Sequence, residues 1–154
     1  MVKLRKAQAS DCAALHQMQV KAFASLLLKY QDSDSNPAAE NAEQVLHRFQ
    51  QSFTDYYWIE RDDAPVGMIR ICDFVDHCRI SPICILPQHQ GRGYAQQALL
   101  LAEKQYPAAK RWNLDTILQE EQLCYLYEKL GYRRTGRYKR IKEGMDLVFY
   151  EKGD

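Results

Sequence analysis

Apolar and polar residues alternate along Val2-Lys-Leu-Arg-Lys6, a period of two that predicts a short strand. Ser10-Asp11 reads as a helix cap with an acid in the first turn, and Leu15, Met18, Ala22 and Leu26 recur at helical spacing as far as Leu28. Residues 29–36 are polar and turn-forming, which predicts a loop. Asn36-Pro37 then starts a second helix striped by Val45, Leu46 and Phe49. Three strands follow: the aromatic Asp55–Glu60, Val66–Val75 beyond a turn at 61–65, and Arg79–Leu86, so apolar that burial on both faces is expected. After Pro87 the chain becomes polar and glycine-rich. A helix over Gly93–Gln105, a strand over Trp112–Ile117, a helix over Glu120–Leu130 closed by Gly131, and a strand pair folded at Glu143-Gly144 complete the pattern.

That order, with no repeat, low-complexity tract or linker, predicts one mixed α/β domain over residues 1–154. A hydrophobic share of 46% with 27% charged residues is ordinary for a folded chain. Lys+Arg 21 against Asp+Glu 20 leaves +1, which argues against a dedicated nucleic-acid binder. No apolar run is long enough to span a bilayer, and MVKLRKAQASDCAAL lacks the apolar segment of an export signal, so a cytoplasmic protein with no membrane partner is expected. Cys12, Cys72, Cys78, Cys84 and Cys124 are odd in number and form no CxxC pair. They read as reduced, small apolar residues on buried strands rather than as metal ligands, so no metal is expected.

The chemistry concentrates in Ile83-Cys-Ile-Leu-Pro-Gln-His-Gln-Gly-Arg-Gly-Tyr-Ala95. A strand runs into a turn with two glycines, and a helix opens on the second. Amides at a helix start have no intrahelical partner, and Gly91 and Gly93 let the main chain approach a bulky anion. The helix dipole adds a field that favours negative charge, the arrangement that holds a diphosphate. Tyr94-Ala95 excludes the Lys-Ser/Thr of a Walker A loop, and Gln96 stands where a dinucleotide-binding turn needs glycine or alanine. Taken alone, the glycines also fit a turn that only bends the chain.

Gln90-Gly-Arg-Gly-Tyr-Ala95 resembles the Q/R-x-x-G-x-G/A signature of the GNAT N-acetyltransferase superfamily, and Leu126-Tyr-Glu-Lys-Leu-Gly-Tyr132 is similar to the ending of that family's late helix. The resemblance implies the single-domain acyl-CoA N-acyltransferase fold: a central mixed, mostly antiparallel sheet flanked by helices and splayed between the fourth and fifth strands. It implies acetyl-CoA as cosubstrate, an amine acceptor (a small molecule or a protein amine), and direct attack through a tetrahedral intermediate. A homodimer is compatible with it. The main chain of Gln90, Gly91, Arg92, Gly93, Tyr94 and Ala95 would hold the diphosphate. Ile83, Cys84 and Ile85 would pair with the pantetheine arm, an amide near Ile83 or Ile85 meeting the thioester oxygen. Tyr127 matches the position whose phenol reaches the coenzyme and protonates the departing sulfur; from periodicity alone it reads as a core aromatic.

Two departures accompany the resemblance. Arg79–Leu86 lacks the glutamate that often serves as base, leaving Asp73, Asp76 and His77 as candidates to act directly or through water. Glu120 replaces an asparagine that usually contacts pantetheine, so either Asn113 or Gln119 compensates or the contact is lost. On the acceptor side the resemblance places Tyr30, Asp32, Asp34, Asn36, Tyr56 and Tyr57, a set that suits a cationic amine but also fits a solvated loop. The basic run Arg133–Lys142 reads as a soluble edge hairpin that discourages aggregation. Alternatives of other classes are a non-catalytic acyl-CoA sensor and, from that basic run, a small nucleic-acid-associated protein.

Overall fold

In the computed structural model, which describes residues 1–153, the aromatic strand β2 (Thr54–Arg61) is covered on both faces. Tyr56 and Trp58 join one buried cluster, and Ile59 with the half-buried Tyr57 joins another, as a period of two requires. β2 lies between β1 (Lys3–Lys6) and β3 (Ala64–Asp73), and β3 pairs with β4 (His77–Ile85). β5 (Arg111–Ile117), β6 (Arg133–Lys142) and β7 (Met145–Gly153) complete a seven-stranded sheet in the order β1-β2-β3-β4-β5-β7-β6. Every pairing is antiparallel except β4 with β5, where α3 (Tyr94–Gln105) supplies the crossover that a parallel neighbour needs.

Helices α1 (Cys12–Tyr30) and α2 (Ala42–Phe49) cover one face through Leu15, Met18, Ala22 and Val45, which pack on Tyr56, Trp58 and Met68. α3 and α4 (Glu121–Lys129) cover the other through Ala98, Leu99, Cys124 and Tyr127, which pack on Ile69, Ile71 and Leu114. Among the described residues no helix is long and apolar enough to cross a membrane.

Element boundaries depart from the sequence expectation where tertiary bonds compete with local preference. Asn36-Pro37 starts a 3-10 turn over Pro37–Ala39, the Asn36 side chain accepting from the Ala38 amide at 2.8 Å. The α-helix waits for Asn41, which shares a capping box with Gln44. Between them Glu40 is extended, because its carboxylate accepts from Gln19 at 2.7 Å and pairs with Arg48. Ser10 is not a cap: Asp11 closes a 3-10 turn by accepting from the Gln8 amide at 2.8 Å. α1 continues past Leu28 to Tyr30 and ends at Gln31 in the left-handed region.

β4 departs most tellingly. Its centre, Ser81-Pro82-Ile83, is only half buried, although the apolar run predicts burial on both faces. Ile71 pairs with Ile80 and Ile69 with Ile83, so two residues of β4 stand opposite Arg70 alone, and this bulge bends the strand.

Candidate active site

β4 and β5 pair only at His77↔Arg111, Cys78↔Trp112 and Arg79↔Asn113. Beyond that point the strands diverge, and a cavity of about 560 Å³ opens between Ile80–Ile85 on one side and Leu114–Ile117 on the other. Arg79 closes the fork: its guanidinium donates to Asn113 Oδ1 at 3.1 Å and forms an ion pair with Asp115. The edge of β4 that faces the gap has no partner strand there, which leaves main-chain groups open to a ligand.

The glycine turn forms one end of this cavity. Gly91 and Gly93 adopt φ of +77° and +81°, and no heavy atom lies within 4 Å of the place where a side chain would begin. The first main-chain bond of α3 runs from the Gln97 amide to the Gly93 carbonyl at 3.1 Å. Amides ahead of Gln97 therefore lack helical partners, and Gly91, Gly93, Tyr94, Ala95 and Gln96 all stand on the cavity wall. The loop is braced from behind. Gln90 donates its side-chain amide to the Ile85 carbonyl at 3.0 Å, its own main-chain amide being engaged by Pro87. Buried Tyr94 accepts from Arg61 at 2.7 Å, fixing the helix start against the β2–β3 turn.

Tyr127 enters the same wall from α4, its ring held edge-on to Tyr132 and tilted against Tyr150. Its hydroxyl bonds no other group among the described residues. Burial raises its pKa above the ordinary phenol value of 10.0, and nearby Asp115 adds to the effect, so the phenol keeps its proton at neutral pH. Cys84 is buried beside the cavity, and burial pushes its thiol up to about 12, which leaves it unreactive.

Part of the wall is acidic. Asp32 and Asn36 are buried, and Glu120 caps the approach to α4. Glu120 accepts from Lys29 at 2.7 Å and from Tyr30 at 2.5 Å, and these two bonds hold its carboxyl below the ordinary value of 4.5. Lys142 donates to the Tyr30 carbonyl at 2.8 Å, so α1, α4 and the β6–β7 hairpin meet there.

Of the residues singled out in the sequence, the fold gathers Ile83, Cys84, Ile85, Gln90, Gly91, Gly93, Tyr94, Ala95 and Tyr127 around one cavity. Arg92 is exposed on the same turn. Asp73 ends β3 and His77 begins β4, at the end of that strand far from Ile83: Asp73 accepts from the Val75 amide at 2.9 Å, and His77 bonds Asp76 at 2.6 Å while stacking on Phe74. Six residues separate His77 from Ile83, roughly 20 Å of strand. Asn113 is engaged by Arg79, and Gln119 exchanges two hydrogen bonds with Asp146, so neither faces the cavity. Of the residues expected on the acceptor side, Asp34 is exposed, Tyr56 packs under α1 and α2, and Tyr57 bonds Tyr106. Sequence reasoning missed Asp115, whose signal was its i, i+2 spacing from Asn113 on one face of a strand.

The sequence pattern described as the Acetyltransferase (GNAT) family matches residues 13–132. No curated protein sequence matches the chain. Among solved structures, the ribosomal-protein-S18-alanine N-acetyltransferase from Escherichia coli superposes with a TM-score of 0.81 at 13% identity, covering 99% of this chain and 94% of that one. A GNAT family acetyltransferase from Elizabethkingia anophelis with acetyl-CoA bound gives 0.72 at 14% identity, covering 99% and 98%. The PaiA N-acetyltransferase from Thermoplasma acidophilum in complex with coenzyme A gives 0.73 at 14% identity, covering 100% and 99%.

Proposed function

Because the chain belongs to the GNAT acetyltransferase family, we propose that it transfers the acetyl group of acetyl-CoA to a primary amine in the cleft between β4 and β5. One observation carries this reading: open amides at the start of α3, the unpaired edge of β4 and the Tyr127 hydroxyl share a single cavity. The glycine turn fits a diphosphate, since nothing obstructs the positions above Gly91 and Gly93. That two structural neighbours carry acetyl-CoA or coenzyme A agrees with the same reading.

Acetyl-CoA supplies the activated acetyl group. The amides of Gly91, Arg92, Gly93, Tyr94 and Ala95 hold its diphosphate, and Gln90 braces their loop against Ile85. Main-chain groups of Ile83 and Ile85 on the β5 side take the pantetheine amides, Cys84 turning its own toward Met68 of β3, and an amide of this stretch faces the thioester oxygen. Pro82, having no N–H, cannot serve there. Tyr127 gives its proton to the departing sulfur. β4 puts no glutamate or imidazole on the wall, and we assign the amine's proton to water in the cleft. Asp73 and His77 are then left to the turn that they build. Glu120, in place of the usual asparagine, serves the acceptor end through Lys29 and Tyr30.

Calorimetric titration with acetyl-CoA, followed by a panel of amines with release of free thiol as readout, tests the proposal. Binding and thiol release together support it. Binding with no turnover on any amine would favour a non-catalytic acyl-CoA sensor, and no binding would end both readings.

A further inference from the structure

We infer that the acceptor is a dibasic amine, one nitrogen receiving the acetyl group while the other is held as an ammonium ion by Asp32. The inference rests on the transfer reaction proposed above and names its acceptor. Three carboxylates, Asp32, Asp115 and Glu120, stand on the cavity wall, with no lysine or arginine among the residues that line it. Asp115 is paired with Arg79 and Glu120 with Lys29. Asp32 forms no ion pair among the described residues. It is only 7% exposed, and its donors are neutral: the Ser35 hydroxyl at 2.9 Å and the Asn36 amide at a long 3.4 Å. A carboxylate offers about four acceptor positions, so capacity remains. A buried anion without a counter-ion is costly, and a ligand cation that reaches it is correspondingly favoured.

The placement of Asp32 argues for two nitrogens rather than one. Asp32 follows Tyr30 by two residues, and Tyr30 bonds Glu120 at the start of α4. Tyr127 stands seven residues beyond Glu120, roughly 10 Å along the helix axis. Asp32 and Tyr127 stand on the wall of one cavity from different elements, and Leu26, Ile117, Leu123 and Leu126 line the same wall with apolar surface suited to a methylene chain. A nitrogen bound to Asp32 stays protonated and cannot attack. The nucleophile is consequently a second nitrogen at the far end of the chain.

The test compares straight-chain α,ω-diamines with n-alkylamines of matched length, in wild type and in Asp32→Asn. Wild type is expected to favour the diamines in kcat/KM by roughly tenfold or more, mostly through KM, as a charge-assisted hydrogen bond allows. Asp32→Asn, which can keep a bond to Ser35, lowers that ratio to near parity while acetyl-CoA affinity by calorimetry is retained. Asp32→Glu keeps the preference with a different optimum length. Calorimetric titration of diamine into protein loaded with coenzyme A gives the same comparison without turnover. Equal use of both series by wild type, or a preference that survives Asp32→Asn, overturns the inference while leaving acetyl transfer intact. Failure to bind acetyl-CoA, or to acetylate any amine, removes the transfer reading first and this inference with it.

Discussion

The Tyr30 hydroxyl donates to the Glu120 carboxylate across 2.5 Å, tying the last residue of α1 to the approach of α4 on the cavity wall. Lys29 donates to the same oxygen, and together the two bonds lower the pKa of Glu120. A carboxylate whose folded pKa is depressed stabilises the fold above its unfolded value and loses that contribution as pH falls through the lowered folded value. Wild type should therefore melt at higher temperature than Glu120→Gln at neutral pH, with the gap closing below the ordinary value of 4.5. Thermal melts across an acid series measure this. A gap that stays constant into strong acid would count against the clasp.

Tyr127→Phe keeps the ring against Tyr132 and Tyr150 but removes the proton. Turnover should fall roughly 100-fold or more, the usual worth of a positioned general acid, with acetyl-CoA affinity close to wild type. Since burial holds the phenol above 10.0, its ionisation should produce no fall in rate below that pH. A pH–rate profile and calorimetry on the variant decide the matter: unchanged turnover would remove Tyr127 from the reaction.

Two glycines near the cleft should fail in different ways. A methyl at Gly67 would sit 2.2 Å from the Cys84 carbonyl oxygen, driving β3 against β4. Gly67→Ala is expected to cost about 1–3 kcal/mol of stability through overpacking. Gly93→Ala meets no atom within 4 Å, but its φ of +81° carries a backbone penalty of about 1–2 kcal/mol. Relieving that penalty turns the amides that face the cavity. Gly93→Ala should thus weaken acetyl-CoA binding roughly tenfold, whereas Gly67→Ala should act chiefly on Tm. Denaturation curves and calorimetry on the two variants separate these effects.

All five cysteines are free and buried, and burial pushes Cys78 and Cys84 up to about 12. Native protein should react slowly with an aromatic disulfide reagent at neutral pH, and denaturant should release all five thiols. A rapid stoichiometric reaction in the native state would show that one of these side chains is more accessible than the fold allows. The slow background also makes thiol release a usable readout of acetyl transfer.

Local pattern decided most of the elements and one half of the site. Alternation in Asp55–Glu60 sorts Tyr56 and Trp58 from Tyr57 and Ile59, and the fold keeps that division. The glycine turn was legible because its chemistry is local: positive φ at Gly91 and Gly93 and open amides at a helix start are properties of neighbouring residues. Gly144 likewise marked the last hairpin, with β6 ending at Lys142 and β7 beginning at Met145. Tertiary structure decided what depends on partners distant in the chain. That β4 and β5 separate after Arg79↔Asn113 follows from the bulge opposite Arg70 and from the pairing of β5 with β7, and no single segment encodes either. Asp32 fitted both an acceptor channel and a solvated loop until the fold buried it in the cavity wall, and Glu120 looked like a missing asparagine until it met Tyr30. His77 lay close in sequence to the cavity strand, but an extended chain advances about 3.3 Å per residue, so neighbours along a strand end up at opposite ends of a sheet.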